Sequence, residues 1–181
     1  MARPKKFDRT KALDKAMHLF WQQGYEKTSM EDLCKHMGIN RGSLYGTFGS
    51  KHSLFLEAIQ RYKDINIVEF DLDDESFSGL SAIEVMFSDI VEGSVMASGR
   101  SGCLIANTTA ELASRDSEIA QMCMDNRRGY ENLFHRLLTH AERTGEISNE
   151  RDLTQLARFL VNTIYGLRIT AKTTNDRKVL E

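Results

Sequence analysis

The sequence predicts an all-α protein: a three-helix N-terminal head carrying a helix-turn-helix, set on a larger helical-bundle body. Three observations lead there. The only proline stands at position 4, so nothing further along removes a helical hydrogen bond. Apolar residues recur three, four and seven apart along most of the chain, which is the period of one helix face. Ser, Asn or Asp stand before these stripes and Gly follows several of them, the residue types that start and stop helices.

The first helix carries Leu13, Ala16, Met17 and Phe20 on one stripe and ends at Gly24, the residue best able to adopt a left-handed conformation. Ser29, with Asp32 three residues on, forms the N-terminal signature of a short second helix whose Met30, Leu33 and Met37 face the core. Gly38 stops that helix. Asn40 caps a very short third helix, Arg41 to Phe48, buried through Leu44 and Phe48. Ser50 caps a fourth, from Lys51 to about Asn66, with Leu54, Phe55, Ala58, Ile59 and Tyr62 on one side. An acidic, turn-rich stretch at 69–79 then links to the body. Further helices carry Ile83, Met86, Phe87, Ile90 and Val91; then Leu104, Ile105, Thr108 and Leu112; then a long stripe from Ile119 to Leu138 that stops at Gly145. Another begins after Asn149 or Asp152 and runs to Leu167, and Asp176 opens a last one. On this reading residues 1–50 form the helix-turn-helix head and residues 51–181 the helical body.

A helix, a Gly-containing turn and a short second helix make a helix-turn-helix, whose second helix enters the major groove while the first braces it. The residue types suit that task. Arg41 and Lys51 can neutralise phosphates, and Ser43 and Thr47 can hydrogen-bond base edges or phosphate oxygens. Gly42 and Gly46 allow close approach, and Tyr45 offers a hydroxyl and a flat face.

From Ala16 to Leu54 the chain reads A-x-x-L-F-x-x-x-G-Y-x-x-T-S-M-x-D-L-C-x-x-M-G-I-N-R-G-S-L-Y-x-x-F-G-S-K-x-x-L. This stretch resembles the DNA-binding signature of the TetR family of transcriptional regulators. The resemblance implies a one-component repressor: a homodimer whose recognition helices address a palindromic double-stranded operator, released by a small-molecule effector. It also implies that Thr28, Ser29, Arg41, Gly42, Ser43, Tyr45, Gly46, Thr47 and Lys51 occupy positions that usually touch DNA. Gly46 and Thr47 depart from the large aromatic or polar residue and the His common there, which alters the base contacts to be expected.

In the body, the apolar stripes of residues 127–143 and 152–171 suit either a four-helix dimer interface or one subunit's own core; the resemblance favours the interface. The segment from Gly102 to Leu112 sets Asn107, Thr108 and Glu111 in an apolar helix, and is similar to a G-C-L-x-x-N-x-x-x-E stretch of one TetR-like subgroup. Such groups either orient a ligand or cap and bridge helices. In the first case the expected effector pocket comprises Met86, Phe87, Ile90, Cys103, Asn107, Glu111, Tyr130, Phe134 and Tyr165. Cys103, at a helix start near Arg100, is either a small buried apolar residue or a thiol poised to sense electrophiles or oxidants.

Charge is divided along the chain, with 12 Lys plus Arg against 6 Asp plus Glu in residues 1–63 and 12 against 20 beyond. A basic head that meets a polyanion, joined to an acidic body that does not, fits that division. Arg3, Lys5 and Lys6 suit either a minor-groove arm or a solvated tail. Cys34, Cys103 and Cys123 lack metal or disulfide spacing, His135 and His140 lie five apart, and no phosphate-cradling loop or nucleophile elbow occurs, so neither a metal, nor another cofactor, nor catalysis is expected. A helical interaction module with a purely structural head is the rival reading. The opening residues run into charge, not a signal core, and no stretch is apolar enough for a membrane; a soluble cytoplasmic protein is expected.

Overall fold

The computed structural model describes residues 7–72, 77–96 and 101–181. Arg3, Lys5, Lys6 and Arg100 lie outside the described residues, as does part of the 69–79 linker. Among the described residues the chain is all-helical, as its periodicity predicts: α1 (Arg9–Gln23), α2 (Met30–Met37), α3 (Arg41–Phe48), α4 (Lys51–Ile65), α5 (Gly79–Val95), α6 (Leu104–Leu112), α7 (Ser117–Arg143), α8 (Leu153–Thr170) and α9 (Arg177–Leu180). No helix among them is long and apolar enough to cross a membrane.

Helix starts follow local chemistry. Asp8, Ser29, Asn40, Ser50, Ser78, Asp116, Asp152 and Asp176 each accept a backbone N–H of the first turn, satisfying donors that the helix itself leaves open. Only α6 lacks such a side-chain cap, its N-cap being Cys103.

One apolar core joins the head to part of the body. Met17, Phe20, Leu33, Leu44, Leu54, Phe55 and Ile59 are at most 1% exposed and belong to the same buried cluster as Leu104, Ile105, Leu112 and Ile119. α4 lies along α1 and closes the three-helix head, while α6 packs against α1, α4, α7 and α8. A second cluster, built on Met86, Phe134, Leu137, Ala157 and Val161, holds α5, α7 and α8 together.

The N-terminus of α5 is held by a carboxylate from beyond α7. Glu146 accepts from the Ser78 hydroxyl and from the backbone N–H groups of Gly79 (3.1 Å) and Leu80 (3.2 Å), with the Thr144 hydroxyl at 2.8 Å. Burial opposes the charge, but these donors outweigh it and hold the carboxyl at about 2, against an ordinary 4.5. Because the folded value is the lower one, the stabilisation is complete above about pH 4.5 and is lost as pH falls toward 2. Glu146→Gln is expected to cost on the order of 2 kcal/mol at neutral pH. Acid and urea titrations of both proteins check this: the stability difference should shrink below pH 4.

Candidate nucleic-acid interface and the cavity behind it

The helix-turn-helix is set by three local devices. Ser29 and Asp32 cap one another's backbone, fixing the start of α2. Gly38 sits at φ 73°, ψ 31°, the left-handed region, and turns the chain between the two helices. Asn40 accepts the Ser43 N–H at 2.8 Å and starts α3 in register. With Leu44 and Phe48 buried, α3 necessarily turns Arg41, Gly42, Tyr45 and Gly46 outward, and all four are exposed. Ser43 and Thr47 lie half-buried at its flank. The Arg41 guanidinium sits 5.6 Å from the Tyr45 ring centroid and 3.5 Å from its hydroxyl; that hydroxyl, the largest influence on it, strengthens its basicity. Above Gly46 a Cβ would meet nothing within 4 Å, so the outer face of α3 is open to an incoming groove.

Two expected DNA residues also make contacts within the protein. Thr28 is fully buried and its hydroxyl donates to the Gly24 carbonyl at 2.6 Å, so it fixes the turn after α1 and presents no side chain to DNA. Lys51 places its ammonium 4.2 Å from the Tyr25 ring centroid, a cation–π contact that restrains it beside the head. Ser29 is exposed, with its hydroxyl engaged at the cap.

Behind the head, four hydrogen bonds reach across to the body. Glu111 of α6 accepts from the N–H groups of Tyr25 (3.0 Å) and Glu26 (2.8 Å), the first two residues past Gly24. Gly24 itself stands at φ 84°, and a Cβ there would come within 2.9 Å of the same carboxylate, so both its conformation and its missing side chain are used. The Trp21 indole donates to the Gly102 carbonyl at 3.1 Å, and His52 meets Asp116, the cap of α7, at 2.8 Å. His18 stacks on Trp21, whose other neighbour is the Tyr62 ring, edge-on at 5.2 Å.

A cavity of about 500 Å³ opens between α4, α6, α7 and α8, with Tyr62, Cys103, Tyr130, Tyr165 and Arg168 in its wall. A neighbouring groove of about 830 Å³ runs toward α5 and is lined by Met86 and Ile90; Tyr62, Tyr130 and Arg168 border both spaces. Burial raises the pKa values of Tyr62, Tyr130 and Tyr165, so these phenols stay protonated. The Tyr62 hydroxyl donates to Cys103 Sγ at 3.5 Å.

Four expected pocket residues lie elsewhere. Glu111 is occupied at the end of α1. Asn107 donates to the Ser101 carbonyl (2.7 Å) and accepts from Lys172 (2.9 Å), tying the start of α6 to the end of α8. Phe134 is wholly buried in the body core, with Phe87 against it at a centroid separation of 6.3 Å. Asn107 and Glu111 thus tie α6 to its neighbouring segments.

Comparison with known proteins gives the architecture its family. Residues 12–58 match the family model described as "Bacterial regulatory proteins, tetR family", and residues 79–181 match the one described as "Tetracyclin repressor-like, C-terminal domain". The chain belongs to the TetR family. It is 36% identical over 172 residues to the HTH-type transcriptional repressor ComR of Escherichia coli, covering 94% of this chain and 82% of that one. Identity to the uncharacterized HTH-type transcriptional regulator YezE of Bacillus subtilis is 33% over 183 residues, covering 100% and 94%. Among solved structures it is similar to the TetR family transcriptional regulator CifR, a cysteine mutant complexed with 26-base-pair double-strand operator DNA, at a TM-score of 0.78 and 28% identity, covering 98% and 94% of the two chains. The protein is a TetR-type transcriptional regulator that binds DNA, and not an enzyme.

For this TetR regulator, sequence reasoning passed over Tyr62, read as core, and Arg168, not read at all. A signal for Arg168 existed: it follows Ile164 by four and Val161 by seven, and so continues the buried stripe of α8 with a cation. The partners of Glu111, 86 and 85 positions away, left no such local trace. Glu111→Ala is expected to lower stability by about 2 kcal/mol, because two backbone donors lose a charged acceptor. Native-state hydrogen exchange should show the Tyr25 and Glu26 amides losing protection first.

Proposed function

We propose that the protein is a cytoplasmic repressor that binds a palindromic operator as a homodimer and leaves it when a small effector enters the body cavity. The observation that carries this reading is the exposed polar face of α3, Arg41 with Tyr45 beside Gly42 and Gly46, on a head whose core continues through α6 to the cavity wall. Arg41 and Lys51 serve the phosphates; Ser43, Tyr45 and Thr47 serve base edges or backbone. Ser29 supplies a contact at the start of α2. The operator complex of CifR supports the same placement.

The outward faces of α7 and α8 form the dimer interface. Phe159, Met124 and Ile169 are 65%, 41% and 45% exposed, an unusual apolar display on two adjacent helices that a two-fold partner would cover. Two such dimer shapes are required, one with recognition helices about 34 Å apart to match successive major grooves and one that does not fit. α4 runs from Lys51 at the DNA side to Tyr62 at the cavity and is the lever between them. Moving such an equilibrium from 1:99 to 99:1 takes roughly 5.5 kcal/mol of differential binding, which calls for an effector that contacts several helices at once.

A second reading keeps Cys103 as an electrophile- or oxidant-sensing thiol; its place in the cavity wall favours it. If Cys103→Ser binds and releases DNA as the parent does under thiol-reactive treatment, that reading fails.

Selection of bound fragments from a random DNA pool, followed by titration at several salt concentrations, tests the main reading. It should enrich a palindrome whose affinity falls steeply with salt; enrichment of nothing, or salt-insensitive binding, would overturn it. Arg41→Ala should weaken that site about tenfold and leave thermal stability unchanged, because the side chain is exposed. Phe159→Glu should shift sedimentation from dimer to monomer and abolish tight operator binding while helical content stays the same.

A further inference from the structure

Arg168 stands in the cavity wall, and its surroundings among the described residues do not supply what its charge calls for. It lies on the buried stripe of α8, in line with Val161 (1% exposed), Ile164 (3%) and Ala171 (0%). Even on the more exposed surface of the body several arginines are paired: Arg127 and Arg158 share Glu131, and Arg177 holds Glu92 and Glu181. Arg168 makes no hydrogen bond or ion pair among the described residues, and a guanidinium offers five N–H donors. Leaving a half-buried charge unpaired is costly unless a partner arrives.

Its neighbours fix what that partner is. Burial is the largest influence on Arg168 and works against its charge, but a guanidinium stays protonated at ordinary pH, so the cavity wall carries a fixed cation. The phenols of Tyr62, Tyr130 and Tyr165 line the same cavity in protonated form; with the Tyr62 hydroxyl given to Cys103, Tyr130 and Tyr165 are the further donors. The cavity wall also carries Lys63 and Arg136 against Asp125 and Glu69, and Asp125 already holds Gln121 and Arg128. The balance is positive. A cation would be repelled, and a neutral ligand would leave the guanidinium unmatched. A bare inorganic anion would neither fill about 500 Å³ nor cover Ile67 and Val68, which stand 63% and 40% exposed at the cavity edge.

We propose that this cavity is an acid-binding site: it takes a small amphiphilic carboxylate whose anionic end forms a bidentate pair with Arg168 and whose apolar body lies against Leu133, Ile67 and Val68. The carboxylate accepts from Arg168 and from the nearby phenols, a geometry a guanidinium fork matches better than an ammonium does. This deepens the effector reading above and rests on it for the regulatory consequence only. With α4, α7 and α8 contributing Tyr62, Tyr130 and Arg168, the ligand draws the DNA-bearing helix toward the body.

The test is calorimetric titration of the full-length protein with decanoate and 2-naphthoate, each beside its primary amide, and with inorganic phosphate. At least one carboxylate should bind tenfold or more tightly than its amide, and phosphate should not bind. Arg168→Met should lose that preference, with Arg168→Lys recovering part of it. Since Arg168 has no partner to lose among the described residues, the unliganded Arg168→Met protein should keep its circular dichroism and show a Tm no lower than the parent's, which an arginine with a merely structural role would not allow. Equal binding of the amides, unchanged carboxylate affinity in Arg168→Met, or no binding by either carboxylate overturns the proposal. Adding the selected operator separates the two readings: a carboxylate that binds through Arg168 without releasing DNA upholds the site and defeats the effector role, whereas failure to enrich any operator defeats the regulator reading and leaves the calorimetry to decide the site.

Discussion

The Glu111 carboxylate and the apolar side of α6 close two structures at once. Toward the head, the carboxylate takes the backbone N–H groups that the turn at Gly24 leaves open; toward the body, Leu104, Ile105 and Leu112 fill the space between α1, α4 and α7. Neither half of that core is complete without α6. The position of the helix-turn-helix relative to the body is consequently set by packing, which is resistant to small adjustments and tends to switch between discrete arrangements.

The cavity occupies the other side of the same helix. Cys103 begins α6 and stands in the cavity wall, while Trp21 at the end of α1 reaches the carbonyl of Gly102 next to it. Tyr62 touches both the Trp21 ring and the cavity. A ligand that changes the spacing of α4 and α8 therefore acts on side chains that are themselves in contact with the head. On the proposed reading such coupling is reciprocal: whatever free energy a ligand would contribute against DNA binding, DNA would contribute against ligand binding.

Much of this was legible in the sequence because helix boundaries are written locally. Ser29 with Asp32, Gly38, Asn40, Ser50 and Asp152 each act within one turn of their own position, and the structure uses them as the pattern predicts. The outward face of α3 follows from the same logic once Leu44 and Phe48 are assigned to the core. Long-range partnerships were not legible. Thr28 has the polarity of a DNA contact, and only the fold shows its hydroxyl turned back on Gly24. Glu111 and Asn107 have the composition of a ligand site and are spent on bridging helices. Tyr130 and Phe134 are one helical turn apart, and periodicity alone does not distinguish the one that borders the cavity from the one that fills the core. Arg168 is different, since a cation continuing a buried stripe is visible in the sequence and asks for a partner.

The account stands or falls on whether head and body are mechanically one unit. Hydrogen exchange of the full-length protein, with and without its selected operator, measures this directly. The account predicts that operator binding changes the protection of α6, of the Tyr25 and Glu26 amides and of the Tyr62 end of α4, in addition to α2 and α3. Changes confined to α2 and α3, with α6 and the cavity wall exchanging as in the free protein, would contradict it.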